Sequence, residues 1–214
     1  MIAAISPALG VFASASRTCF LGFIFSLFLT ISFLFLRKKS FKTFLISILL
    51  LFVIGAFFVF ASKNLSSIKR LTRSTDISHD VGGRRAEEIW KIRIEKTIEN
   101  PWASLFGFGK SVIIRFDESH SQYVRNFSEV GIIGSLVFLF LILIIIKKAL
   151  KGFLFSKAHF LIGLSSGLLI ATLTMLFISI PGEAFIVVKI AEVYWFFVAL
   201  TLTSLKLYEK QQSV

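Results

Sequence analysis

The chain has 214 residues, 56% of them hydrophobic, and a mean hydropathy of +0.83. Soluble domains average about 45–50% apolar residues, and here the excess lies in long runs, which excludes a soluble globular domain. The net charge of +12 sits largely beside those runs, as basic residues do at the cytoplasmic ends of membrane helices, so it does not imply nucleic acid. A single cysteine, Cys19, rules out an intramolecular disulfide.

Residues 1–16 are apolar but too short to span a bilayer. Ala13–Ala15 offers an A-x-A-like cleavage pattern, yet no basic region precedes it as in a signal peptide. The stretch is read as the tail end of a membrane helix or a short re-entrant hairpin. Spans of about 20 residues are expected near Thr18–Leu36, Phe41–Ala61, Val130–Ile146, His159–Ile178 and Ala184–Leu205. Arg37, Lys38, Lys39 and Lys42 form one short basic connection, and Lys147, Lys148, Lys151 and Lys157 a second. With Lys206 and Lys210 in the tail, they place these ends in the cytoplasm. The fold class expected is all-α, a polytopic transmembrane bundle in three parts. Residues 1–61 and 130–214 are membrane segments, and 62–129 is a long outer loop with short helices.

Within that loop, Ser62–Asp80 is polar and aperiodic, an exposed connector. Gly82-Gly83 opens a predicted helix, Arg84–Glu99. Its Ala86, Trp90, Ile94 and Thr97 share one face, and Glu87 and Lys91 form an i,i+4 pair on the other side. Asn100-Pro101 ends it, because proline disfavours helix in the preceding residue. Trp102–Lys110 reads as a packed turn at the membrane surface, and its G-x-G is too short for a nucleotide motif. Ser119 and Gln122 fit a capping box for a helix that runs without interruption through Gly131 and Gly134 into the membrane. His120 then sits in its first turn, where the helix dipole disfavours the imidazolium. A neutral imidazole there has the property a general base needs.

Three blocks carry a resemblance. Ser16-Arg17 with Thr18 stands at the outer end of a membrane helix. Gly83-Arg84-Arg85-Ala86-Glu87-Glu88-Ile89-Trp90 is followed by Asn100-Pro101-Trp102 and Phe106-Gly107-Phe108-Gly109. His120-Ser121-Gln122-Tyr123 leads to Glu129-Val130-Gly131-Ile132-Ile133-Gly134. In order, spacing and outer-face placement they resemble the C-terminal half of the O-antigen ligase and O-antigen polymerase superfamily of bacterial inner-membrane proteins. Two features depart from that pattern. Ser121 stands where the family commonly has asparagine, and the spans read here are about half the family's number, so the chain looks like a member lacking its N-terminal half.

The resemblance implies transfer of a glycan from an undecaprenyl diphosphate carrier to an acceptor glycan or lipid A-core, at the periplasmic face. It implies Arg17, Arg84 and Arg85 as diphosphate-binding residues, since guanidinium groups hold phosphate oxygens in bidentate fashion. His120 becomes the candidate catalytic base, with Gln122 and Glu129 orienting the acceptor or the imidazole. The lipid carrier would lie along the Phe-rich spans among membrane lipids. No Asp-x-Asp pair appears in the outer loop, so neither a metal nor another cofactor is expected.

Plainer readings stand beside these. Arg84 and Arg85 suit solvated or lipid-phosphate-binding positions, Arg17 can snorkel to head groups, and His120 can be an ordinary capping-region histidine. Trp90 and Trp102 are read as interfacial anchors rather than sugar platforms. Asp76, His79 and Asp80 are not read as a metal site in so polar a connector. The sequons at Asn64 and Asn126 are read as chance matches. The rival functions are a truncated remnant or non-enzymatic subunit of an envelope-glycan complex and, more remotely, a transporter. For the last, only Lys189 and Glu192 lie within a span, spaced to pair with each other.

Overall fold

Apolar stretches of this length form helices in lipid because only a helix satisfies every backbone polar group within the segment. The computed structural model describes residues 17–38, 45, 89–110 and 119–212, and all the regular structure among them is helical. The chain divides into two compact units, residues 1–80 and 81–214. The first contains α1 (Arg17–Lys38). Its polar side chains turn back onto the helix: Ser26, Thr30 and Ser32 donate to the carbonyls of Phe23, Ser26 and Phe28 at 2.8, 2.7 and 2.8 Å. Such back-bonding lets hydroxyls sit in an apolar helix without an unmet donor. Of the expected span Phe41–Ala61, all but residue 45 lies outside the described residues.

The second unit holds α2 (Lys91–Glu99), α3 (Pro101–Phe106), α4 (Gln122–Phe155), α5 (His159–Ile178) and α6 (Val188–Gln212). Four of the described helices, α1, α4, α5 and α6, are long and apolar enough to cross a membrane. The protein is a polytopic helical bundle, as its composition requires. Ile142 and Ile145 of α4 and Leu168 and Leu169 of α5 are among its most buried side chains, whereas Phe140 and Phe196 are exposed. In α5, Thr172 donates to the Leu168 carbonyl at 2.7 Å, so at 3.0 Å it accepts from the Tyr194 hydroxyl of α6.

Asn100 has extended backbone (φ −106, ψ 106), which ends α2 at the expected place. The same residue starts α3. Its Oδ1 accepts from the Trp102 and Ala103 amides at 3.1 and 3.2 Å, and Pro101 takes the first helical position, which suits a residue without an N–H. Residues 102–106, expected as part of a packed turn over 102–110, are therefore helical. Trp102 and Phe106 stack with centroids 6.1 Å apart and stay exposed, as interfacial aromatics do. On the outer face of α2 the charge pair is Lys91–Glu95 at 3.9 Å; Glu87 lies outside the described residues.

Three expectations for the later helices need correction. First, the N-cap of α4 is Ser121, not Ser119, and its hydroxyl caps nothing. The Gln122 amide instead donates to the carbonyls of Ser179 and Gly182 at 3.0 and 2.8 Å, so a tertiary contact replaces the local capping box. Second, α4 is broken at Gly131 (φ 67, ψ −167). In an unbroken helix Ser128 and Glu129 carbonyls would take the amides four residues on; here they accept from Phe108 and Gly109 at 2.8 and 3.0 Å. The approach is close enough that a Cβ on Gly131 would lie 2.3 Å from the Leu105 carbonyl oxygen. Third, the last span begins at Val188, not Ala184, because the preceding residues turn inward. Phe185 packs edge-on to Phe138 of α4 and Tyr194 of α6, at 5.2 and 5.4 Å. Lys189 and Glu192 lie exposed on α6.

Candidate functional site

The end of the second unit where α4 begins gathers buried polar and charged side chains. Ser119 is fully buried. Its carbonyl accepts from the Trp90 indole N–H at 2.6 Å. Its hydroxyl lies 3.1 Å from both the Ser121 carbonyl and Oε1 of Glu183; having one proton, it donates to one of these at a time. His120 follows with φ 49, in the left-handed region that costs a non-glycine residue about 1–3 kcal/mol and persists only where its surroundings impose it. The histidine thus precedes the N-cap rather than occupying the first turn, and the dipole argument for its neutrality loses its geometry.

One turn into α4, Arg125 joins two acids. Its Nε bonds Glu129 Oε1 at 2.6 Å, and its Nη1 bonds Glu183 Oε2. The side chains of Arg125, Glu129 and Glu183 are only 22%, 12% and 17% exposed, so this is a nearly dry ion-pair network. Arg93 of α2 adds a second guanidinium. It is buried, and among the described residues its Nε and Nη2 have no hydrogen-bond partner. Burial pulls its pKa below the ordinary arginine value. The Glu183 and Glu129 carboxylates oppose that shift, and the like charge of Arg125 adds to it. Two arginines and two glutamates thus balance in charge at one end of the bundle.

His120 and Gln122 stand at the start of α4, and Glu129 lies two turns into it. Gln122 is buried; its Nε2 donates to Asn126 Oδ1 at 2.8 Å and its Oε1 has no partner among the described residues. Arg17 is the first residue of α1, in the other unit, and Arg84 and Arg85 lie outside the described residues. Arg93, Arg125 and Glu183 were not among the candidate site residues read from sequence, and Ser119 was read there only as a helix cap. Arg125 and Glu129 carry an i,i+4 signal, and Arg93 lies on the face of Trp90 and Thr97. Glu183 carries no local signal. A groove of about 620 Å³ lined by Lys148, Lys151, Lys206 and Tyr208 opens at the other ends of α4 and α6, away from this cluster.

Apolar helices long enough to span, with a charged and strained cluster at one end of the bundle, define a polytopic membrane protein whose candidate chemistry sits at a membrane boundary. The chain belongs to the O-antigen ligase family, whose model matches residues 2–139. No curated protein and no solved structure matches it. The matched segment contains Arg17, Arg84, Arg85, His120, Gln122 and Glu129, and it ends within α4. Glu183 lies beyond it.

Proposed function

We propose that this chain is a ligase- or polymerase-type glycosyltransferase that moves a glycan from undecaprenyl diphosphate to an acceptor sugar, at the periplasmic face of the inner membrane. The observation that carries this reading is the coincidence of His120, in its imposed left-handed turn, with the segment that matches the O-antigen ligase family. An acceptor hydroxyl gives its proton to the His120 imidazole as its oxygen attacks the anomeric carbon. The bond from that carbon to the diphosphate oxygen breaks, and undecaprenyl diphosphate leaves with the electron pair. Arg17, Arg84 and Arg85 meet the charge that collects on it. Concentrated phosphate charge favours the planar guanidinium fork. Gln122 and Glu129 orient the acceptor or the base, and residues 62–129 form the outer segment that carries the site.

The test is the surface-glycan profile of a strain lacking the gene, complemented with wild type or with His120→Ala. Loss of general base catalysis costs about 10²–10⁴-fold, so His120→Ala is expected to reach the membrane at wild-type level and restore no glycan. A ligase loss leaves polymer on the lipid carrier, and a polymerase loss leaves single repeats on the acceptor. Wild-type glycan with His120→Ala removes the histidine from the reaction.

A further inference from the structure

Glu183 lies outside the family match, carries no sequence motif, and yet holds both flanks of His120. One carboxylate oxygen faces the hydroxyl of Ser119, the residue before the histidine, at 3.1 Å. The other pairs with Arg125, in the first turn of the helix after it. Glu183 is itself fixed from both sides. The Gly182 carbonyl accepts from the Gln122 amide at 2.8 Å, and the buried Phe185 ring is wedged between α4 and α6. Arg125 is steadied in turn by Glu129 at 2.6 Å. The 179–187 turn therefore acts as a rigid post, and Glu183 is where that post grips the histidine segment.

We infer that Glu183 is a positioning residue for the His120 base, acting through Ser119 on the left-handed turn that presents the imidazole. The inference rests on the reading of His120 as the base. A fixed orientation is what proton abstraction demands, because misplacing a catalytic group by about 1 Å can cost on the order of 10²-fold. The carboxylate has two separable duties: accepting from Ser119 sets the turn, and pairing with Arg125 keeps the carboxylate aimed. Among the described residues the Ser119 hydroxyl meets the 179–187 turn at Glu183, and its other bonds are local, to the Ser121 carbonyl and from the Ser121 amide, so Ser119→Ala removes the first duty and leaves the Arg125 pair in place.

The experiment expresses full-length variants in cells lacking the gene. It measures pulse-labelled sugar entering surface glycan per unit of membrane-inserted protein, with thermal melting of the detergent-purified chain alongside. Ser119→Ala and Glu183→Ala are each expected to lower transfer about 10–100-fold, with Ser119→Ala melting within about 4 °C of wild type. The double variant falls much less than the product of the two single losses, since both changes break the shared Ser119–Glu183 contact. Glu183→Gln, whose amide oxygen still accepts from Ser119, recovers several-fold over Glu183→Ala. In a His120→Ala background, Glu183→Ala changes nothing further. Where Glu183→Ala also melts early, Ser119→Ala decides. A wild-type rate with Ser119→Ala, multiplying losses in the double variant, or a loss that tracks the amount of folded protein overturns the positioning role. Activity in His120→Ala overturns the base reading and this inference together, whereas active Glu183→Ala beside inactive His120→Ala removes the positioning role alone.

Discussion

Arg125 and Arg93 carry the same charge into the same cluster with different partners, and that difference sets what each is worth. Arg125 bonds both Glu129 and Glu183 directly, so Arg125→Leu leaves two nearly buried carboxylates without their direct counterion. Breaking a buried pair from one side costs about 3–5 kcal/mol. Arg93 is buried with two guanidinium nitrogens unpartnered among the described residues. Arg93→Leu forfeits attraction to the two acids but also relieves the cost of keeping that charge from water. Thermal melting of the detergent-purified variants is therefore expected to fall further for Arg125→Leu than for Arg93→Leu, and the reverse order would make Arg93 the principal counterion. Arg84→Lys belongs to the same scale: lysine offers a point charge without the bidentate fork, so carrier-linked glycan should turn over several-fold more slowly. An unchanged rate would count against a diphosphate contact there.

The outer turn and α4 are joined at two glycines. Gly107 (φ 77) and Gly131 (φ 67) are both left-handed, and each lies so near the other segment's backbone that an added Cβ would meet a carbonyl oxygen at 2.2 and 2.3 Å respectively. Gly131→Ala meets both penalties at once. Left-handed alanine costs on the order of 1–3 kcal/mol, and the Leu105 carbonyl must move, which opens the Phe108 and Gly109 bonds to the kink. The expected outcome is a melting point lowered by about 4–10 °C with glycan transfer reduced; an unchanged melting point would show that α4 straightens without loss. The four described spans were legible in the sequence because apolar runs in lipid have one outcome. Their local ends were not. Ser119 and Gln122 matched a capping box that lost to the Ser179 and Gly182 carbonyls, and Gly131 read as one more residue in an apolar helix. Each of these depends on a partner distant in sequence. Glu183 was hidden for the same reason: its meaning comes from Ser119 and Arg125, more than fifty residues away in the chain.

Across the whole second unit, charge and length agree on where the bilayer lies. The straight part of α4 from Ile132 to Lys151 rises about 30 Å at 1.5 Å per residue, the thickness of a hydrocarbon core of about 30 Å, and Lys147 and Lys148 reach the boundary along their flexible stems. The Gly131 break then falls at one boundary, with Arg125 and Glu129 just outside it. Lys147, Lys148 and Lys151 stand at the other, beside Lys206 and Lys210 of α6. Since α5 returns the chain, Glu183 lies at the His120 end, as the Gln122 amide bonded to the Gly182 carbonyl requires. Basic residues favour the cytoplasmic side, so the His120 end should face the periplasm, the side on which transfer from a translocated carrier would occur. With Cys19 changed to serine, Ile180→Cys is exposed beside the cluster and Gln211→Cys is exposed near the opposite end. A membrane-impermeant maleimide added to intact spheroplasts is expected to label Ile180→Cys fully and to leave Gln211→Cys unmodified until the membrane is permeabilised. The opposite pattern would turn the molecule over. It would place His120 in the cytoplasm, where the proposed transfer has no donor, while leaving every contact in the cluster as it stands.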